Sequence, residues 1–190
     1  MLLFFVDSCT GVIFTYFLRN KSDATDATAK FIADISPYGS IGRLKSDNGS
    51  EYTCAQFKEL VVKHKIKHEF TAPYSSHQVG GAERSWATLF DMARCLLINS
   101  QLPKKLWNHA VRTAAYIRNR CYSDRLKGTP IEKFTGEKPN INNMHVFGAT
   151  CFAYINASLI LEQRRVGLLV MTLTVLHIWF ILLTEILLGE

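Results

Sequence analysis

Asp47 and Glu83, separated by 35 residues, are the side chains in this sequence best suited to chemistry. The first lies in Lys45-Ser46-Asp47-Asn48-Gly49-Ser50-Glu51-Tyr52 and the second in Val79-Gly80-Gly81-Ala82-Glu83-Arg84. A carboxylate that closes an apolar strand and another that opens a helix after a Gly-rich loop can share a Mg²⁺ site, provided the fold brings strand end and helix start together. An ion so held stabilises charge on phosphoryl oxygens, which predicts phosphoryl transfer on nucleic acid. Each acid alone also has an ordinary explanation. Asp-Asn-Gly is a common turn in which Asn48 or Ser50 caps the next helix, and Glu83 suits the positive end of a helix dipole.

The elements that must position these acids follow from periodicity. Leu2–Val6 and Val12–Leu18 are short strands joined by the polar loop Asp7-Ser8-Cys9-Thr10-Gly11, and should pair antiparallel. Asp23 and Asp26 open a helix to about Ile35, and Arg43-Leu44-Lys45-Ser46 is a short strand that delivers Asp47 to its end. Over Thr53–His64 the residues Cys54, Phe57, Leu60 and Val61 recur at helical spacing, with Val62 widening the stripe. Lys67–Thr71 reads as a strand leading into the loop Pro73–Gly81, followed by a long helix from about Ala82 to Asn99 with Trp86, Leu89, Phe90, Ala93 and Leu97 on one face. A further helix starts near Pro103, with Trp107, Ala110, Val111, Ala114 and Ile117 as its apolar face and Arg112, Arg118 and Arg120 on the other. Thr129–Phe134 is a short capped helix, and Val146–Ile155 reads as a strand or two. This order is an α/β pattern with a mixed sheet whose one departure from an all-parallel protein is the opening hairpin.

The 190 residues, 48% of them hydrophobic, suffice for one good core with appendages and exclude two full-size domains. A formal charge of +6 suits a polyanion partner without demanding one. Five widely spaced cysteines without a Cys-x-x-Cys pair predict reduced thiols, with neither a disulfide framework nor a zinc site. The apolar start Met1–Val6 lacks a basic flank and is interrupted by Asp7, so it reads as a strand and not a signal peptide. Residues 166–184 hold His177 as their only ionisable side chain and follow Arg164-Arg165, a transmembrane candidate by length.

Ser46-Asp47-Asn48-Gly49 with Glu51-Tyr52, Pro73-Tyr74, Gly80 and Ala82-Glu83-Arg84 resemble the catalytic core of retroviral-type integrases, above all those of copia-type retrotransposons. The resemblance continues through Met92-Ala93-Arg94, Leu102-Pro103 with Trp107, Thr113-Ala114-Ala115-Tyr116 with Asn119-Arg120, Thr129-Pro130 with Gly136, Lys138-Pro139, and Val146-Phe147-Gly148. It covers roughly residues 2–155, and so many ordered matches are hard to reach by chance. What it implies is an RNase H-like fold in which an Asp, Asp, Glu triad holds two divalent ions, with Asp47 as the second member and Glu83 as the third. In such enzymes ions ~3.5–4 Å apart clamp the attacking and leaving oxygens, and integrases use them to trim a DNA 3′ end and join it to a target.

The triad's first member lies, in the family, on a strand before the one matched by Leu2–Val6. The resemblance therefore predicts an RNase H-like mixed sheet flanked by helices and missing its first strand, with Mg²⁺ (or Mn²⁺) binding by Asp47 and Glu83 weakened. Asp7, the only early candidate, reads as a solvated hairpin acid. Val79 stands where the family usually carries Asn, and Trp86-Ala87 where it carries Asn-Arg, so phosphate or base contacts give way to apolar surface. Arg84, Lys104, Lys105 and Arg112 are the candidate nucleic-acid contacts, each equally a charge on a solvated helix face.

The expected organisation is residues 1–100 as a truncated integrase catalytic core, 101–155 as its helical and short-strand continuation, and 156–190 as an unrelated hydrophobic tail. The expected function is that of a retrotransposon integrase core fragment, DNA integration by inheritance, inactive as an isolated chain, with DNA and further integrase subunits as partners. Two alternatives stay open: a non-catalytic module binding nucleic acid or an integrase subunit, and a protein anchored in a membrane through 166–184. The corresponding locations are the nucleus or cytoplasm, or a membrane.

Overall fold

The structure, a computed structural model, describes residues 1–71, 76–152 and 165–167, with 76–81, 150–152 and 165–167 described by backbone alone. The chain opens with a hairpin of β1 (Leu2–Val6) and β2 (Ile13–Phe17), antiparallel in a register that runs from Leu2 opposite Phe17 to Val6 opposite Ile13. Period-two alternation along β1 makes the hairpin two-faced. Leu2, Phe4 and Val6 pack on a core of Ile13, Leu89, Ala93, Ala110, Val111, Ala114, Ala115 and Phe147. On the opposite face Phe5 stacks on Phe31 at 4.0 Å, and Leu3 packs with Leu18, Ala24 and Ala27. The Phe31 face belongs to α1 (Ala24–Ile35), which buries Ala24, Ala27, Thr28, Phe31 and Ile35 at the expected i, i+3, i+4 spacing.

A second ladder is parallel. β3 (Arg43–Ser46) pairs with β4 (Lys67–Phe70), Leu44 opposite His68 and Ser46 opposite Phe70. Between these strands the helix expected over Thr53–His64 is α3 (Ala55–Lys63), preceded by a short α2 (Ser50–Thr53); the two meet at Cys54, whose extended backbone, ψ 158°, breaks the i to i−4 ladder. Phe57 and Val61 of α3 pack with Ile66 beneath Leu44 and Ile32, so α1 reaches both ladders. Val62, expected to widen the apolar stripe, is instead 75% exposed. The antiparallel and parallel directions of a mixed sheet are both present, but among the described residues they form separate two-stranded ladders.

The long helix α4 spans Ser76–Ser100, beginning six residues before the expected start. Gly80 and Gly81, read as loop punctuation, lie within it; each costs ~1 kcal/mol relative to Ala, a sum that a 25-residue helix with a packed face absorbs. A 3₁₀ turn (Lys104–Leu106) after Pro103 leads into α5 (Trp107–Arg120), which buries Ala110, Val111 and Ala114 against Leu89 and Ala93 of α4. Residues on both sides of position 100 therefore share one core. Trp107 keeps one edge exposed and meets Phe17 at 5.5 Å.

The short helix α6 (Pro130–Thr135) is where the sequence predicted it. The Thr129 side chain accepts from the Glu132 N–H at 3.2 Å, the Glu132 carboxylate accepts from the Thr129 N–H, and Gly136 closes the helix at φ +82°. Thr129→Ala is expected to cost about 1 kcal/mol, read as a lower urea midpoint at unchanged slope. An unmoved midpoint would show that the cap contributes nothing.

The strand expected within 146–155 begins at Thr150: β5 (Thr150–Phe152) pairs antiparallel with β6 (Arg165–Gly167). Val166 and Gly167, the first two residues of the transmembrane candidate, are thus strand, and the remainder of 166–184 lies outside the described residues. Among the described residues no helix is long and apolar enough to cross a membrane. The four described cysteines, Cys9, Cys54, Cys95 and Cys121, are free thiols.

Candidate active site

Asp47 follows the last residue of β3, at the carboxyl end of the parallel ladder, and its side chain is exposed. Three hydrogen bonds hold the peptide planes on either side of it. The Ser46 carbonyl accepts from the Thr71 N–H at 2.9 Å and from the Thr71 hydroxyl at 2.8 Å, which extends the ladder one step past β4. The Asp47 carbonyl accepts from the Ser46 hydroxyl at 2.8 Å. The carboxylate is oriented in turn, since Gly49 N–H donates to Oδ1 at 3.1 Å in an Asx turn. The remaining lone pairs of an ionised carboxylate suit a hard cation.

Charge at this strand end is felt nearby. The Tyr52 phenol is pushed up to about 12, by burial first and then by the negative charges of Asp47 and Glu51. Behind Ser46, His68 Nε2 stands 2.9 Å from the Ser46 hydroxyl. Its ring lies between Phe57, centroids 5.1 Å apart, and Phe70, 4.4 Å apart. Desolvation lowers the His68 pKa below its ordinary value, which favours a neutral imidazole at pH 7. Sequence reasoning missed His68. The signal available was period-two alternation, which puts it on one face of the ladder with Ser46, but only the β3–β4 register makes them diagonal neighbours.

Glu83 does not open its helix. It is the eighth residue of α4, in the third turn, and no acid occupies the first turn, so its explanation as a dipole-stabilising acid falls. Its side chain is exposed, as is that of Arg84. Asp47 and Glu83 thus stand on two elements, and among the described residues no group of three His, Cys, Asp or Glu side chains converges on a metal position. The carboxylate donor type fits one divalent ion; the described geometry does not show a clamp for two. Asp7 is a hairpin acid: its Oδ2 accepts from the Thr10 N–H at 2.8 Å and the Thr10 hydroxyl at 2.6 Å.

The basic candidates divide. Lys104 and Lys105 are exposed side by side in the 3₁₀ turn. Arg112 is exposed too, over the Phe17 ring at 5.8 Å, but it lines an open groove of about 570 Å³ together with Asp23, Asp26, Lys30 and Asp34. In that groove the Tyr16 hydroxyl donates to Asp34 Oδ2 at 2.8 Å, and burial together with this bond raises the phenol's pKa. Arg120, which helical spacing places on the face opposite the apolar one, packs its guanidinium over the Tyr116 ring at 3.5 Å with Nε buried and unpaired; the cation–π contact holds it on its own helix.

Residues 1–76 match the family model described as "Integrase core domain". Over 154 residues, 80% of its length, the chain is 33% identical to the retrovirus-related Pol polyprotein from transposon TNT 1-94 of Nicotiana tabacum and 30% identical to that from transposon RE2 of Arabidopsis thaliana. It spans about a tenth of those polyproteins, 12% and 10% respectively. Among solved structures, the HTLV-2 integrase catalytic core in complex with magnesium aligns with 70% of this chain and 83% of its own at a TM-score of 0.56 and 19% identity. A chain of the simian T-cell lymphotropic virus intasome, solved in complex with the PP2A regulatory subunit B56 gamma, aligns with 87% of this chain and 60% of its own at a TM-score of 0.61 and 19% identity. At 19% identity these two establish the fold, which is RNase H-like.

Proposed function

We propose that the function of this chain is DNA integration, the trimming of a DNA 3′ end and its joining to a target strand, because residues 1–76 match the integrase core domain model and 154 residues are 33% identical to the Pol polyprotein of transposon TNT 1-94. The observation that carries this reading is Asp47, an exposed carboxylate at the carboxyl end of a parallel strand, with its backbone fixed on both sides and one oxygen turned onto Gly49. Asp47 and Glu83 are the proposed ligands of Mg²⁺ or Mn²⁺. When bound, such an ion acts as a Lewis acid on phosphoryl oxygens and lowers the pKa of a bound water or hydroxyl. The chain's own part is to hold Asp47 in one orientation and to present cations to the DNA backbone. Arg84, Lys104 and Lys105, all exposed, supply phosphate contacts that position DNA without reading its sequence. Arg112, which shares its groove with three aspartates, contributes least.

Partners proposed on the same basis are DNA and further integrase subunits, the latter in keeping with the dimeric and trimeric forms of the HTLV-2 core. Joining by in-line displacement uses two ions, and the two carboxylates suit one. The isolated chain is therefore expected to bind Mn²⁺ weakly and to join DNA poorly.

The test is strand transfer of a labelled DNA duplex by the full 190-residue chain in Mg²⁺ or Mn²⁺, beside Asp47→Asn and Glu83→Gln. Little joining, with Mn²⁺ binding that drops at least about tenfold in both variants, is the expected result. Efficient joining lost in both variants would overturn the inactive part of the reading. Mn²⁺ binding indifferent to both substitutions would overturn the metal site itself.

A further inference from the structure

We propose that His68 is a positioning residue for Asp47, acting through Ser46: the imidazole holds the Ser46 hydroxyl, and the hydroxyl holds the Asp47 main chain. This rests on the reading of Asp47 as a metal ligand. A serine hydroxyl has one proton. At Ser46 that proton is donated to the Asp47 carbonyl at 2.8 Å, so the contact with His68 Nε2 at 2.9 Å has the hydroxyl as acceptor and the imidazole Nε2–H as donor. The relay therefore has one direction, from His68 to Ser46 to the Asp47 carbonyl.

The consequence is geometric. The φ and ψ of Asp47 are set by the two peptide planes that flank it. The preceding plane carries the Ser46 carbonyl, fixed by both Thr71 donors. The following plane carries the Asp47 carbonyl, and its one side-chain anchor in the described structure is the Ser46 hydroxyl. An alternative rotamer of Ser46 would free that plane. His68 removes the alternative by tying the hydroxyl to a ring that Phe57 and Phe70 confine. With both planes fixed, the Asx turn to Gly49 leaves the carboxylate a single heading. Groups one step behind a metal ligand commonly change affinity by about 10–100-fold when removed.

The experiment compares the full chain with Ser46→Ala, His68→Phe and His68→Gln. Phenylalanine keeps the ring between Phe57 and Phe70 and removes the donor, while glutamine keeps an N–H donor and loses the ring. Two readouts are taken: hydrogen exchange of the Gly49 and Thr71 amides, and Mn²⁺ affinity from paramagnetic line broadening. Expected are faster Gly49 exchange and Mn²⁺ affinity lower by roughly tenfold in Ser46→Ala and His68→Phe. The double variant Ser46→Ala with His68→Phe should be no worse than either single one, because the relay is one path, and His68→Gln should recover part of the affinity. Unchanged Gly49 exchange in a folded His68→Phe, or losses that add in the double variant, would overturn the proposal. If Mn²⁺ binding proves indifferent to Asp47→Asn, the metal reading fails by itself, and Gly49 exchange in His68→Phe still decides the positioning role.

Discussion

Phe57→Ala is expected to destabilise the fold by about 3–5 kcal/mol, a large share of the roughly 5–15 kcal/mol that holds a domain of ordinary stability together. Phe57 is fully buried, 0% exposed, and is the bulkiest of the completely enclosed side chains among the described residues. It joins α3 to β4 through Val61 and Ile66, and its ring meets Tyr52 edge-on at 5.3 Å and His68 at 5.1 Å. Truncation leaves a cavity bounded by a helix on one side and a short two-stranded ladder on the other. Neither can close over it without breaking the β3–β4 register. Val62→Ala, five residues along the same helix and 75% exposed, should change stability by no more than about 0.5 kcal/mol. Urea denaturation of both variants beside the parent measures the contrast. A loss below about 1 kcal/mol for Phe57→Ala would show that the parallel ladder unfolds apart from the main core.

What was legible in the sequence, and what was not, follows from the range of the interactions involved. The hairpin, α1, β3, β4 and α6 are announced by local alternation, by acids at a helix start or by the Thr129 and Glu132 box, and they stand where expected. Boundaries decided by tertiary packing were not legible. The short α2 before Cys54 was not foreseen, and α4 carries on upstream through two glycines, because packing of its later turns outweighs two small local penalties. The packing of Arg120 was not legible either, because a charge at helical spacing does not reveal that an aromatic one turn earlier will hold it. At the candidate site, Asp47 and Glu83 were visible by type and spacing. The relay behind Asp47 was not, since Ser46 and His68 become neighbours only through a register that alternation alone cannot fix.

Asn119 is the second position where a single substitution should have a large effect, and here the cause is polar. It is buried, 8% exposed, near the end of α5, and its carboxamide pairs with the outer edge of β2 as a strand residue would. Oδ1 accepts from the Ile13 N–H at 2.9 Å, and Nδ2 donates to the Ile13 carbonyl at 2.8 Å. Asn119→Leu leaves both main-chain groups of Ile13 unpaired beside a residue that is itself buried, at a cost on the order of 2–4 kcal/mol. Asn119→Asp is the sharper test because the shape is kept. At pH 7 its carboxylate can still accept from the Ile13 N–H, but it faces the Ile13 carbonyl with no proton to donate and carries a buried charge. Burial and that carbonyl both raise the folded-state pKa of the new acid above the ~3.9 of an unfolded aspartate. The folded state then binds more protons than the unfolded one between the two values, so the variant gains stability as the pH falls through its raised pKa. Below about pH 4, where the protonated acid donates to Ile13 as the amide does, most of the deficit relative to the parent should be gone. Denaturation of parent and Asn119→Asp between pH 7 and pH 4 measures it, and a deficit that stays constant across that range would show that the Asn119 bridge does not hold the β2 edge.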